Sequence, residues 1–184
     1  MLPEKPYIED TIVACATGGG IGGISVIRVS GIDTEKIAKK IIGDLPEPRI
    51  ATYRKFRNKK NEIIDMGLII FFPSPNTFTG ESVVEFHSHG GPLLGELLIE
   101  EIVEFGARRA EPGEFSKRAF LNNKIDLIQA EALADLISSN TTKSARAAAQ
   151  SLSGTFSELI IELNTKLVNL DCLLRRPLIF QKKR

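Results

Sequence analysis

The chain has 184 residues, 42% of them hydrophobic and 26% charged, with a formal net charge of +1. This composition excludes a disordered chain and fits one domain plus a piece of another. No apolar run approaches the length of a membrane span, the start MLPEKPYIED has no signal-peptide core, and Cys15 and Cys172 stand in no ligand or redox spacing. A reducing, cytoplasmic setting without membrane contact is expected.

Thr11 to Ala16 reads as a strand and leads into ATGGGIGG, where Gly18, Gly20 and Gly23 match G-x-G-x-x-G. A dinucleotide loop of that pattern must open a helix, because the phosphate sits on the helix N-terminus. Ile24 to Ser30 instead alternates branched residues and predicts a second strand. The glycines are therefore expected to make a turn between two strands. Asp33 is expected to N-cap a short helix that buries Ile37, Ala38, Ile41 and Ile42 and stops at Gly43. Residues 50–56 and 63–72 read as strands around the polar turn 58–61, and 72–80, with two prolines, is a loop. Residues 82–87 form a further strand. Pro92 opens a helix lined by Leu94, Leu97, Leu98, Ile102 and Phe105 and ended by Gly106.

Strands before that helix and helices after about residue 113 predict an α+β domain followed by a helical segment. Asp126 and Gln129 have capping-box spacing before Ala130 to Ile137. From Thr142 to about Leu174 apolar residues recur at helical spacing, which predicts one helix of about thirty residues with an uncovered stripe. A bundle that begins here and is cut short is the expectation. The boundaries are 1–120 for the α+β domain, 121–174 for the start of the helical domain and 175–184 for a basic tail. Five of the 24 Lys and Arg lie in that tail with no acid, so the preceding residues carry 19 basic against 23 acidic, a net of −4.

Four places can carry chemistry. Glu85 lies in the apolar strand VVEFH and is either a satisfied structural carboxylate or an anchor for a planar edge with two parallel N–H groups. Arg28, in an apolar strand, needs a carboxylate of the protein or an anionic ligand. His87 and His89 share a strand face but have no third metal ligand at suggestive spacing, so a loop with backbone-bonded histidines is expected, and Gly90-Gly91 before Pro92 offers N–H groups to an anion. Glu111 to Lys124 reads as a structured junction, with Lys124 exposed. No catalytic residue, P-loop, nucleophile elbow or zinc spacing is found.

The segments DTIVACATGGGIGGISVIRVSG, SPNTFTGESVVEFHSHGGP and RRAEPGEFSKRAFLNNKIDLIQAEALADLI together closely resemble the N-terminal part of the MnmE/TrmE family of bacterial tRNA-modification GTPases, from about Asp10 to about Leu170. Many relatives carry proline and a charged residue where this chain has Gly18-Gly19 and Ile21. The resemblance implies a mixed sheet with flanking helices, similar to folate-dependent aminomethyltransferases. It implies that the domain forms a homodimer and binds a tetrahydrofolate, either 5-formyl-tetrahydrofolate or 5,10-methylene-tetrahydrofolate. The family's folate-contacting Arg, Glu and Lys fall on Arg28 in VIRVSG, Glu85 in VVEFHSHGG and Lys124 in FLNNKIDL. Glu85 would accept the paired pterin N–H groups, and Arg28 and Lys124 would meet the pterin carbonyl or the glutamate carboxylates.

In the family a GTPase domain, using GTP with Mg and K, is inserted into the helical domain. With the FAD-containing partner MnmG, it modifies the wobble uridine of certain tRNAs. This chain is expected not to hydrolyse GTP by itself. After Leu170 the family continues into an acidic segment, whereas here RRPLIFQKKR follows; written in one set of codons and shifted by two bases it nearly restores that segment, so a frameshift is the expectation. Three functions compete: a folate-binding module, a dimerisation scaffold without a ligand, and a nucleic-acid binder using the basic tail.

Overall fold

In the computed structural model, which describes residues 10–18, 20 and 22–174, six strands form one sheet. They are β1 (Ile12–Cys15), β2 (Ile24–Ser30), β3 (Thr52–Arg57), β4 (Ile63–Phe72), β5 (Val83–His89) and β6 (Arg108–Arg109), in the order β3-β4-β5-β2-β1-β6. Every pairing is antiparallel except β1 with β6, so the sheet is mixed, as expected. Strand β6 has no hydrophobic period to reveal it; it is two exposed arginines paired by backbone beside β1.

Period-two alternation gives the sheet two unlike faces. Ile27, Val29, Val84, Phe86, Ile69 and Phe56 turn to one side and are buried there. Helices α1 (Thr34–Ile42) and α2 (Pro92–Glu104) contribute Ile37, Ala38, Ile41, Leu98, Ile99 and Ile102 to the same core. Phe56 and Phe86 meet edge to face with ring centroids 5.3 Å apart, the arrangement that aromatic quadrupoles favour. Asp33 stands at the N-cap of α1, but its side chain accepts no cap hydrogen bond; its own N–H donates to Thr11 Oγ1 at 2.8 Å. That bond holds the N-cap residue itself in place, while the first-turn N–H groups of α1 receive no side-chain cap from Asp33. Leu97, expected in the core, is 42% exposed, and Ile99 takes the buried position.

Residues 111–124 contain α3 (Glu114–Leu121). Beyond Lys124 the chain forms a second compact unit. It holds α4 (Leu127–Ser138), α5 (Thr142–Leu152) and α6 (Thr155–Leu174). The capping box is present in full: Asp126 accepts from the Gln129 N–H, and the Gln129 side chain accepts from the Asp126 N–H. The single long helix expected from Thr142 is two helices. Gly154, at φ +90°, breaks it, a conformation that side chains with a Cβ rarely adopt. The apolar stripe of α6 stays uncovered within this unit, with Leu159, Leu163, Leu167 and Leu170 all more than half exposed. No described helix is long and apolar enough to cross a membrane. The basic tail, residues 175–184, lies outside the described residues.

Candidate functional site

The β2–β5 register sets Arg28 directly opposite Glu85, on the face of the sheet turned away from the α1/α2 core. Arg28 donates from Nε at 2.9 Å and from Nη2 at 2.7 Å, and both bonds end on Glu85 Oε1. The other oxygen, Oε2, lies 3.4 Å from His87 Nε2. An ionised carboxylate has about four lone-pair directions, so Oε2 keeps acceptor capacity. The Glu85 side chain is 16% exposed and that of Arg28 32%, so the pair is neither sealed nor free in solvent. Phe115, on α3, places its ring 5.9 Å from the Arg28 guanidinium carbon, a cation–π distance. The protein carboxylate of Glu85 is thus a partner of Arg28, one of the two kinds open to it from sequence.

Lys124 is not joined to this pair by a hydrogen bond or an ion pair. It follows α3, where its backbone N–H donates to the Ala119 carbonyl at 2.8 Å and its stem runs across Gly80. A Cβ on Gly80 would sit 3.2 Å from Lys124 Cε and 3.1 Å from Asn122 Cβ.

The two histidines belong to β5, not to a loop: the strand continues through His89 because β2 pairs it as far as Ile24. His89 Nδ1 lies 2.8 Å from Asp65 Oδ1, and the His89 N–H donates to Asp65 Oδ2. Burial pushes the Asp65 carboxyl up, and these bonds from His89 outweigh it, so its pKa lies below the ordinary value. Among the described residues no group of three or more His, Cys, Asp and Glu is placed to hold a metal ion.

The glycine segment closes against the start of α2. Gly22 N–H donates to Gly90 O at 2.9 Å, and Gly90 N–H returns to Gly23 O at 3.3 Å. A Cβ on Gly90 would stand 2.3 Å from Gly22 O, so the contact requires glycine. The Gly90 donor expected for an anion is thereby spent within the protein. A cleft of about 220 Å³ remains beside this contact, lined in part by Cys15, Thr17, Ser25 and Gly95.

Sequence reasoning missed a buried ionic cluster that joins residues distant along the chain. Arg118, on α3 and 2% exposed, donates from Nη2 to Asp10 Oδ1 at 2.5 Å and to Glu114 Oε1 at 3.0 Å. From Nη1 it donates to the Asp10 carbonyl at 3.0 Å and to Glu81 Oε1 and Oε2 at 3.1 and 3.2 Å. Arg108 closes the cluster, holding Glu114 by two bonds, at 2.7 and 2.9 Å, and Asp10 by one, at 2.8 Å. The Arg108 bonds bring the Glu114 carboxyl down to about 2, against burial and with help from the Glu111 N–H and Arg118. Each charge taken alone reads as an ordinary surface residue; only the density of charges in RRAEPGEFSKR hinted at the cluster.

A family model described as "GTP-binding protein TrmE N-terminus" matches residues 11–124. The "tRNA modification GTPase MnmE" of Nitrosomonas eutropha is 48% identical over 175 residues, covering 95% of this chain and 39% of that protein. The protein of the same description from Coxiella burnetii is 50% identical over 174 residues, covering 95% and 38%. That from Proteus mirabilis is 51% identical over 165 residues, covering 89% and 36%. The chain thus spans less than half the length of these curated relatives.

Proposed function

The chain belongs to the TrmE N-terminal family, and from that premise we propose that residues 11–124 act as the one-carbon-folate-binding module of a tRNA wobble-uridine modification system. The observation that carries the reading is the state of Glu85. Its Oε1 is fully engaged by Arg28, while Oε2 keeps acceptor capacity on a part-open sheet face. Orientation of the carboxylate is thus fixed before any ligand arrives, which reduces the ordering cost of binding. A pterin ring carries adjacent N–H donors: Oε2 accepts one of them, and the second requires one of the two Arg28 bonds to leave Oε1. Arg28, already neutralised by Glu85, orients that acceptor, and Lys124 is left for the glutamate carboxylates. A homodimer, tRNA and the FAD-containing partner MnmG complete the proposed cytoplasmic system. The one-carbon chemistry would come from the folate itself.

Calorimetric titration with 5-formyl-tetrahydrofolate tests the reading, run beside Glu85→Gln. Saturable binding that the variant lacks supports it. A folded parent that gives no heat overturns it.

A second reading, a dimerisation scaffold without ligand, draws on the exposed apolar residues of the same sheet face. Tyr53, Met66 and Leu68 are 59%, 39% and 42% exposed there, on the paired strands β3 and β4. Sedimentation of the Leu68→Asp variant as a monomer, with folate binding absent from a dimeric parent, would favour it.

A further inference from the structure

The Arg118 cluster touches each part of the candidate site within a few residues. On α3, Phe115 over Arg28 is three residues before Arg118, one turn away on the same side of the helix. In the loop before β5, Glu81 follows Gly80, the residue across which the Lys124 stem runs. Thr79 accepts at its carbonyl from Asn122 Nδ2 at 2.7 Å. Ser30, two residues after Arg28 on β2, is within 2.7 Å of both Thr79 Oγ1 and Glu81 Oε2. The guanidinium therefore sits where the segment before β1, the loop and α3 meet, bonded to Asp10, Glu81 and Glu114.

We propose that Arg118 is a positioning residue of the ligand site: it locks the 79–81 loop to α3 so that Gly80 seats Lys124 and Phe115 covers Arg28. The assignment rests on the folate reading above. A buried ion network adds little net stability over an apolar replacement of equal volume. Its planar fork does impose direction, because several donors must meet fixed acceptors at once. Lysine keeps the charge but is a point donor and cannot span Asp10, Glu81 and Glu114 in the same way. Gly80 is the second half of the device. A Cβ there would meet Asn122 Cβ and Lys124 Cε at 3.1–3.2 Å, so the lysine stem or the loop must shift by a few tenths of an ångström.

Two variants separate positioning from general stability. Arg118→Lys disturbs the lock at its guanidinium, and Gly80→Ala disturbs the seat directly, placing a Cβ against the Lys124 stem on a backbone at φ +80°. Reductive ¹³C-methylation gives each lysine its own NMR resonance and needs no ligand. The Lys124 resonance should shift in both variants while that of Lys166, on α6, stays in place. Affinity for 5-formyl-tetrahydrofolate should fall about tenfold in each, a loss of about 1.4 kcal/mol. Adding Lys124→Ala to Arg118→Lys should cost less than the sum of the two single changes, since they share the Lys124 contact while Phe115 over Arg28 remains a separate one.

An unmoved Lys124 resonance in a folded Arg118→Lys protein overturns the proposal, as do additive losses in the double variant. Should Arg118→Lys not fold, Glu81→Gln, which weakens the lock from the loop end, decides by the same resonance. A parent that binds no folate defeats the folate reading instead, and the lysine spectra still show whether Arg118 places Lys124.

Discussion

Both donors of Arg28 converge on one oxygen of Glu85 across the β2–β5 pair, at 2.9 and 2.7 Å. The two partners are unequally exposed, which makes their removal unequal. Arg28→Ala strands a carboxylate with 16% exposure and should cost about 2–3 kcal/mol. Glu85→Ala leaves an arginine that reaches water and should cost about 1 kcal/mol. Urea denaturation of both single variants and the double one measures this; equal costs with no coupling energy would contradict the geometry.

The Arg108–Glu114 pair predicts an acid-sensitive junction. Glu114 drops from an ordinary 4.5 to about 2 in the folded protein, chiefly through its bonds from Arg108. In Asp10 burial raises the carboxyl, and the Arg108 and Arg118 bonds bring it below its usual value. A depressed carboxyl contributes stability that is complete above its unfolded value and is lost as pH falls through the folded one. Stability should therefore decline from pH 4.5 down through about 2. Glu114→Gln should flatten that decline and cost on the order of 2 kcal/mol at neutral pH. A denaturation midpoint with the same acid slope in parent and variant would refute the assignment.

Phe86 tests the core side of the sheet. It is fully buried and meets Phe56 edge to face. Phe86→Ala should cost about 4 kcal/mol through lost transfer energy and a residual cavity. Phe86→Leu should recover more than half of that. A thermal melt in which the two variants coincide would mean that the site collapses freely.

Asp126 carries the helical unit's start. Asp126→Ala removes the acceptor for the Gln129 N–H and should cost about 1 kcal/mol. Asp126→Asn, an equally good cap, should restore nearly all of it. Following α4 by amide hydrogen exchange would show the loss concentrated in its first turn; uniform protection in the alanine variant would count against the cap.

What sequence determines here is whatever repeats or signals locally. Alternating branched residues disclosed β2, and residues 63–72, read as a strand, match β4. The spacing of Asp126 and Gln129 disclosed a capping box whose two bonds involve only those residues. The strand after the glycine run already pointed to a turn rather than to a dinucleotide loop. Features that depend on partners far along the chain were not legible. Asp33 occupies a cap position but its side chain makes no cap bond, and its own N–H is held by Thr11, 22 residues away. Strand β6 is defined solely by its parallel neighbour. The break at Gly154 was hidden because apolar spacing continues across it, while helicity depends on a backbone angle that glycine permits but does not announce. The candidate site divides the same way. Residue type marked Arg28 and Glu85 as charges in apolar strands that needed partners. Only the register of β2 against β5 made them each other's partner, and only the folding of α3 over the sheet brought Phe115 to Arg28 and buried Arg118 among three carboxylates. Hydrogen bonds and charge pairing act over a few ångströms of space, and that proximity is created by the fold.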